Sequence, residues 1–254
     1  PSDYGLQGTA PTHPELLDWR ATEFTRQNWS MKSMHRLMVT SAAYRMGSMA
    51  DPKALAADPQ NDLFWRFDMR RLTAEEIRDS ILAASGNLTP TLFGPSVYPD
   101  VPAAVQQGQS VPGKDWYPDR MSAEDKARRS IYIFQKRSLR FPMLDAFDLA
   151  ESDRTTAVRF ASTVPTQALG MLNSDWMQQQ ATVLATRLKK EAPDTAGRVK
   201  RALRLVTQRP ATMAEIARGV KLIGLLKANG ESDEQALERF CLLALNLNEF
   251  FYLD

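Results

Sequence analysis

The chain of 254 residues carries 32 Lys+Arg against 30 Asp+Glu, a net charge of +2 that by itself argues neither for nucleic acid nor for an anionic membrane. Its single cysteine, Cys241, excludes an internal disulfide and a cysteine-rich zinc site, and no apolar run approaches the roughly 18 residues that a membrane-spanning helix needs. With 43% hydrophobic residues the composition is that of a globular protein, and the start at Pro1, without Met or an apolar leader, reads as a segment of a longer polypeptide.

Helix signals dominate from the N-terminus. Pro14 stands where a first helical residue belongs, and Leu17, Ala21 and Phe24 follow on one face, which predicts a helix ending near Asn28. Ser30 is a natural N-cap for a second helix with Met31, Met34, Leu37, Met38, Ser41 and Ala42 in a stripe, so the two make a helical hairpin. Residues 47–60 fade into a surface excursion. Thr73 and Glu76 form a capping box, Ile77 and Ile81 continue an apolar face, and Gly86 stops the helix after Ser85.

The stretch 87–120 is different in kind. Pro90, Pro95, Pro99, Pro102, Pro112 and Pro118 alternate with Gly94, Gly108 and Gly113, which predicts a long loop without regular elements, either a disordered insertion or an ordered lid or binding loop. The alternation of β-branched and aromatic residues from Ser130 to Lys136 predicts a short strand. Beyond Pro165 helices return, over Trp176–Glu191, around Val199 to Val206, after the capping box Thr212–Glu215, and after Ser232 with Gln235. The last of these is apolar nearly all round and is expected at the centre, with Cys241 as a buried, unreactive packing residue.

These signals predict a mainly α fold: a helical domain with a C-terminal helix bundle, a small β element at most, and a long Pro/Gly-rich loop. The divisions expected are 1–86, 87–120 and 121–254, with helices of both ends able to share one composite domain 1–254.

The histidines number two, His13 and His35, so any imidazole base must be one of them. No His-Glu-x-x-His, Gly-x-Ser-x-Gly, Gly-x-Gly-x-x-Gly, phosphate-loop or Cys-x-x-Cys-His motif occurs. Arg66, Arg70, Arg71 and Arg78 alternate with Asp68, Glu75, Glu76 and Asp79, and Arg128 and Arg129 precede the strand-like run. Such groups make either an ion-pair network that fixes loops or a pocket for an anionic or sugar-like ligand, and the network is the commoner outcome. Trp116-Tyr117 is placed to stack on a sugar ring or a partner surface. Near the C-terminus, Arg187 to Lys221 carries ten basic and three acidic residues, whereas Glu231 to Asp254 carries one basic and six acidic, so helices of opposite charge are expected to pair.

Several phrases read together point to one family. They include Tyr4-Gly-Leu-Gln-Gly8, Pro11-Thr-His-Pro-Glu-Leu-Leu-Asp-Trp19, Asn28-Trp-Ser-Met-Lys-Ser-Met-His-Arg36, Ser41-Ala-Ala-Tyr-Arg45 and Arg70-Arg-Leu-Thr-Ala-Glu-Glu-Ile-Arg-Asp79. Arg129-Ser-Ile-Tyr132, Phe147-Asp148, Ser162-Thr-Val-Pro-Thr-Gln-Ala-Leu169, Leu172-Asn173 and Leu247-Asn-Glu-Phe-Phe-Tyr252 continue the series. The chain resembles the C-terminal domain of unknown function, the PSD-one domain, of large exported cytochrome-c-associated proteins of planctomycetes and verrucomicrobia. The resemblance implies a periplasmic or cell-surface protein whose c-type haem sits in another module, with no cofactor and no metal in this segment. It transfers no reaction. The matching polar positions to inspect are His13, Glu15, His35, Arg45, Arg70, Arg78, Asp79, Arg129, Asp148, Gln167 and Asn173.

The expectation is therefore a non-catalytic scaffold or docking module whose partners are other domains of the same polypeptide, with no nucleic acid and no membrane span. The alternative is a domain that binds or oxidises a carbohydrate or other small polar substrate and passes electrons to the cytochrome module. His13, His35 and Asp148 would then be the catalytic candidates, and Arg45, Arg70, Arg78, Asp79, Trp116, Tyr117 and Arg129 the ligand-binding ones.

Overall fold

A computed structural model describes residues 8–108, 115–152, 156 and 158–254. Most of the Tyr4 to Gly8 phrase, and Pro112 and Gly113 of the Pro-rich stretch, lie outside the described residues. The protein is mainly helical, with thirteen α-helices among the described residues and one two-stranded antiparallel element. It divides into two compact units, Pro1–Arg70 with Leu253–Asp254, and Arg71–Tyr252. The two strands are β1 (Arg70–Arg71) and β2 (Tyr252–Leu253).

The first unit contains α1 (Pro14–Arg26), α2 (Met31–Thr40) and α3 (Pro52–Ala57). Asn28 and Trp29 both adopt positive φ, 52° and 60°, which reverses the chain tightly enough for Ser30 to cap α2 through the Ser33 N–H. The excursion after Gly47 holds one short helix that sequence pattern does not reveal. Asp51 nucleates it, its Oδ1 accepting from the N–H groups of Lys53 and Ala54 at 2.9 Å each. Among the described residues of this unit, Met34 is the buried apolar side chain.

In the second unit, α4 (Ala74–Ser85) begins at the Thr73–Glu76 capping box and ends where Gly86 takes φ 86°, both as the sequence predicts. The Pro-rich stretch that follows is not structureless. It contains α5 (Ala103–Gln107), buries Val97, Val101 and Trp116, and is tied to later residues by isolated bridges from Thr89 to Arg128 and from Val97 to Ile133. Next come α6 (Ala123–Lys126) and a 3-10 turn over Ser130–Tyr132. That turn corrects the strand expected from Ser130 to Lys136: the Ser130 N–H donates to Asp79 Oδ1 at 2.7 Å rather than to a neighbouring strand, and the run makes only isolated bridge contacts among the described residues, Ile133 with Val97 and Lys136 with Leu139.

After α7 (Pro142–Ala146) and α8 (Pro165–Asn173), the bundle is α9 (Asp175–Glu191), α10 (Thr195–Thr207), α11 (Met213–Ala228), α12 (Asp233–Ala244) and the short α13 (Asn248–Phe251). The α12 helix packs on α9 and α11 as expected of a central element, but α9 is equally central, because α4, α8 and α10 also lie against it. The core runs through Ile77, Ile81, Leu184, Leu188, Val199, Phe240, Cys241 and Leu245. Gly219 permits the close crossing of α10, α11 and α12, since a Cβ there would stand 2.6 Å from Val199 Cγ1 and 2.9 Å from Phe240 Cε2.

Candidate functional site

Two polar clusters in the second unit gather Arg71, Arg78, Asp79, Arg129 and Asp148 from among the arginines and carboxylates that the sequence singles out. The inward face of α4 carries Arg78, which is 1% exposed. Its Nη1 donates to the Arg128 carbonyl at 2.9 Å and to Ser130 Oγ at 3.3 Å, and its Nη2 to the Lys126 carbonyl at 2.5 Å. Asp79 approaches the same guanidinium at 3.9 Å and accepts from the Ser130 N–H and Oγ at 2.7 Å each. Arg129 stands 3.5 Å from the other Asp79 oxygen. Burial pulls the Arg78 guanidinium down to about 10, with Asp79 opposing part of that shift, so it is cationic at neutral pH. An interior cation engaged by three backbone or hydroxyl oxygens fixes the segment from Lys126 to Ser130 against α4. It is a structural clamp, because its main donors are already engaged.

The second cluster centres on Arg71 and Asp148. Arg71 Nη2 donates to Asp148 Oδ2 at 2.7 Å and to the Phe147 carbonyl at 3.1 Å, and its Nη1 donates to the Ser162 carbonyl. Asp148, at φ 64°, accepts from the Ser162 N–H at 2.9 Å and from Ser162 Oγ at 2.8 Å. Burial raises the Asp148 carboxyl, but the Ser162 N–H, Arg71 and the Ser162 hydroxyl together outweigh it and hold the group below its ordinary value. Gln167 completes the cluster, donating to the Ala146 carbonyl at 3.0 Å and to Ser162 Oγ at 3.2 Å. An ionised carboxylate accepting this many hydrogen bonds is a poor proton acceptor and a good loop anchor.

The remaining sites expected from the sequence fall elsewhere. His13 lies half-buried against Phe64 with ring centroids 4.9 Å apart, and its Nδ1 is 3.0 Å from Thr12 Oγ1. His35 faces solvent on α2, and Arg45 and Arg70 are exposed. These four belong to the first unit, whereas Arg78, Asp79, Trp116, Tyr117, Arg129 and Asp148 belong to the second. Trp116 does not offer its ring to a sugar: it is buried, donates Nε1–H to the Pro99 carbonyl at 3.0 Å, and meets Tyr98 edge-on. Tyr117 is half-buried beneath Arg120, whose Cζ lies 4.2 Å from the ring centroid.

A groove of about 650 Å³ runs between the C-terminal end of α4 and α9, lined by Ser85, Gly86, Thr182, Thr186, Arg187, Lys190 and Glu191, with none of the expected site residues in it. Arg187 is occupied there, donating Nη1 to the carbonyls of Ala83 and Ala84 at the end of α4. A smaller cavity of about 420 Å³ is lined by Asp100, Gln106, Trp116, Tyr117, Asp119 and Arg120. Among the described residues, no group of three His, Cys, Asp or Glu side chains converges to hold a metal, and no helix is long and apolar enough to cross a membrane. Sequence pattern missed the roles of Arg128, Ser130, Ser162 and Arg187. Each acts through a backbone group or side chain remote in sequence, for which no local signal exists.

A family model described as a protein of unknown function (DUF1553, PSD1) matches residues 1–223, and the chain belongs to that family. No curated protein and no solved structure matches the chain.

Proposed function

We propose that this DUF1553 chain is a non-catalytic docking module, built to hold other modules of an exported polypeptide that also carries a c-type cytochrome domain. The observation that carries this reading is the α1–α2 hairpin. It leaves Leu16, Leu17, Trp19, Trp29, Met31 and Val39 exposed, with Trp29 at 67%, while burying Met34 alone among its apolar residues. Single exposed apolar residues are ordinary, but a helical hairpin that shows most of its large apolar side chains to water is a surface awaiting a cover. The arginine–carboxylate clusters support the same reading, because their donors already hold backbone carbonyls of the chain.

Hydroxyl-radical footprinting of the intact polypeptide tests the proposal. Trp19 and Trp29 are expected to be oxidised several-fold more slowly than in the urea-unfolded polypeptide, and Trp19→Asp with Met31→Asp is expected to increase its radius of gyration by releasing the covered modules. Unprotected tryptophans would overturn the reading. So would substrate-driven reduction of a linked cytochrome that His35→Ala abolishes without loss of folding, since that outcome belongs to a polar-substrate oxidase.

A further inference from the structure

The groove between the end of α4 and α9 contains polar groups that the fold leaves unused. Gly86, at φ 86°, gives Arg187 room to lie across the end of α4, where a Cβ would stand 3.2 Å from Arg187 Cδ. Arg187 is then fixed by three bonds, Nη1 donating to the Ala84 and Ala83 carbonyls at 2.9 and 3.2 Å and Nε to Glu191 Oε1 at 2.7 Å. The other Glu191 oxygen accepts from Arg201 Nε, and Arg201 and Arg187 together hold that carboxyl below its ordinary value. The carboxylate and both carbonyls are thus engaged, whereas Arg187 Nη2 makes no hydrogen bond among the described residues. Along α9 the lining continues as Thr182, Thr186 and Lys190, successive positions one turn apart on a single face. Thr22, Thr25, Thr40 and Thr207 each donate their hydroxyl to the carbonyl four residues back, the usual bond of a helical threonine. Thr182 and Thr186 make no such bond, and Lys190 no ion pair, among the described residues.

We propose that this groove binds a hydroxylated organic oxyanion, a polyol phosphate or a sugar acid, with its charged end on Arg187 Nη2 and Lys190 and its hydroxyls on Thr182 and Thr186. The chemistry selects the ligand. Glu191 is the one acid among the lining residues and both its oxygens are taken, so the side chains left to a ligand are two cationic donors and two hydroxyls. They call for a molecule rich in acceptors and are unsuited to a metal cation or an amine. Thr182 and Lys190 lie about 12 Å apart along the helix axis, so a ligand touching both is larger than inorganic phosphate. Leu88 and Val183 in the wall suit its carbon skeleton. A guanidinium already pinned by three bonds loses little further freedom on binding. None of these residues belongs to the α1–α2 hairpin, so the site stands or falls independently of the docking reading.

Titration calorimetry of the full chain at low ionic strength, with glucose 6-phosphate, glucuronate, glucose and inorganic phosphate, tests the proposal. Saturable binding of glucose 6-phosphate or glucuronate is expected at one site per chain, roughly tenfold or more tighter than glucose or inorganic phosphate. Which of the two anions binds more tightly assigns the charged end to phosphate or carboxylate. Lys190→Gln removes an exposed, unpaired charge and should weaken that binding by roughly fivefold or more. Thr186→Val keeps the side-chain shape and should weaken it by about threefold. Both variants should keep the melting temperature, and Lys200→Gln, at an exposed cation of α10, should keep the affinity. The proposal is overturned if neither anion binds, or if glucose or inorganic phosphate binds as tightly. It is equally overturned if Lys190→Gln or Thr186→Val leaves the affinity unchanged, or if Lys200→Gln weakens it as much as Lys190→Gln does, since that result belongs to diffuse charge attraction.

Discussion

Arg78 brings a full charge into the interior and is stabilised there by two carbonyls and a hydroxyl. Replacing it with methionine leaves the Lys126 and Arg128 carbonyls unpaired, and the expected loss is about 3 kcal/mol in a urea melt. Lysine should not rescue it, because one ammonium cannot reproduce the planar fork. Glu215 sets a pH window. Hydrogen bonds from Arg209, and then from the Thr212 N–H and hydroxyl, hold its carboxyl at about 2 against an ordinary 4.5. The unfolded chain therefore takes up this proton first as pH falls, and the stability Glu215 contributes is complete above its ordinary value and lost progressively down to about 2. The melting-temperature difference between the protein and Glu215→Gln should be constant above pH 5 or so and close in strong acid. Cys241 is buried, and that burial, with Glu238 adding to it, pushes the thiol up to about 12, so a thiol reagent at pH 8 should label it only after denaturation.

At the scale of elements, α11 contains two glycines whose substitutions should act in opposite directions. Gly219→Ala forces a methyl into Val199 and Phe240 and is expected to cost about 1–3 kcal/mol. At Gly224 a Cβ meets nothing within 4 Å, so Gly224→Ala should stabilise the same helix by roughly 0.5–1 kcal/mol. Paired thermal melts of the two variants check both signs. The charge segregation along the last helices also resolves at this scale. Lys189 pairs with Glu234, and Arg209 with Glu249 at 2.6 Å, which joins the basic segment to the acidic one. Within the basic segment itself, Glu191 bridges Arg187 and Arg201. Helix starts at Ser30, Thr73, Thr212 and Ser232 were readable because a cap and the amide it receives lie three residues apart. The turn at Ser130 was not, because the carboxylate that captures its amide comes from Asp79, 51 residues earlier.

Across the whole molecule, the contiguous core begins at Leu72 and draws no residue from before it among those described. A chain limited to residues 71–254 is therefore expected to keep a cooperative thermal transition by circular dichroism, whereas residues 8–70 alone should melt without one, having too little buried apolar surface to offset their conformational entropy. The sequence by itself determined the helical class, the approximate positions of the long helices, the caps at Ser30, Thr73, Thr212 and Ser232, the burial of Cys241 and the absence of marked catalytic motifs, since each depends on periodicity or on neighbours within a turn. Only the tertiary structure decided that the Pro-rich stretch is held by Arg128, that Trp116 belongs to the core, and that Arg71, Arg78 and Asp148 are anchors. The physical reason is separation: Arg78 reaches carbonyls 48 and 50 residues away, and Arg71 meets Asp148 across 77. A guanidinium shows in sequence only that it can donate; which oxygens receive it is settled when the chain has closed around them.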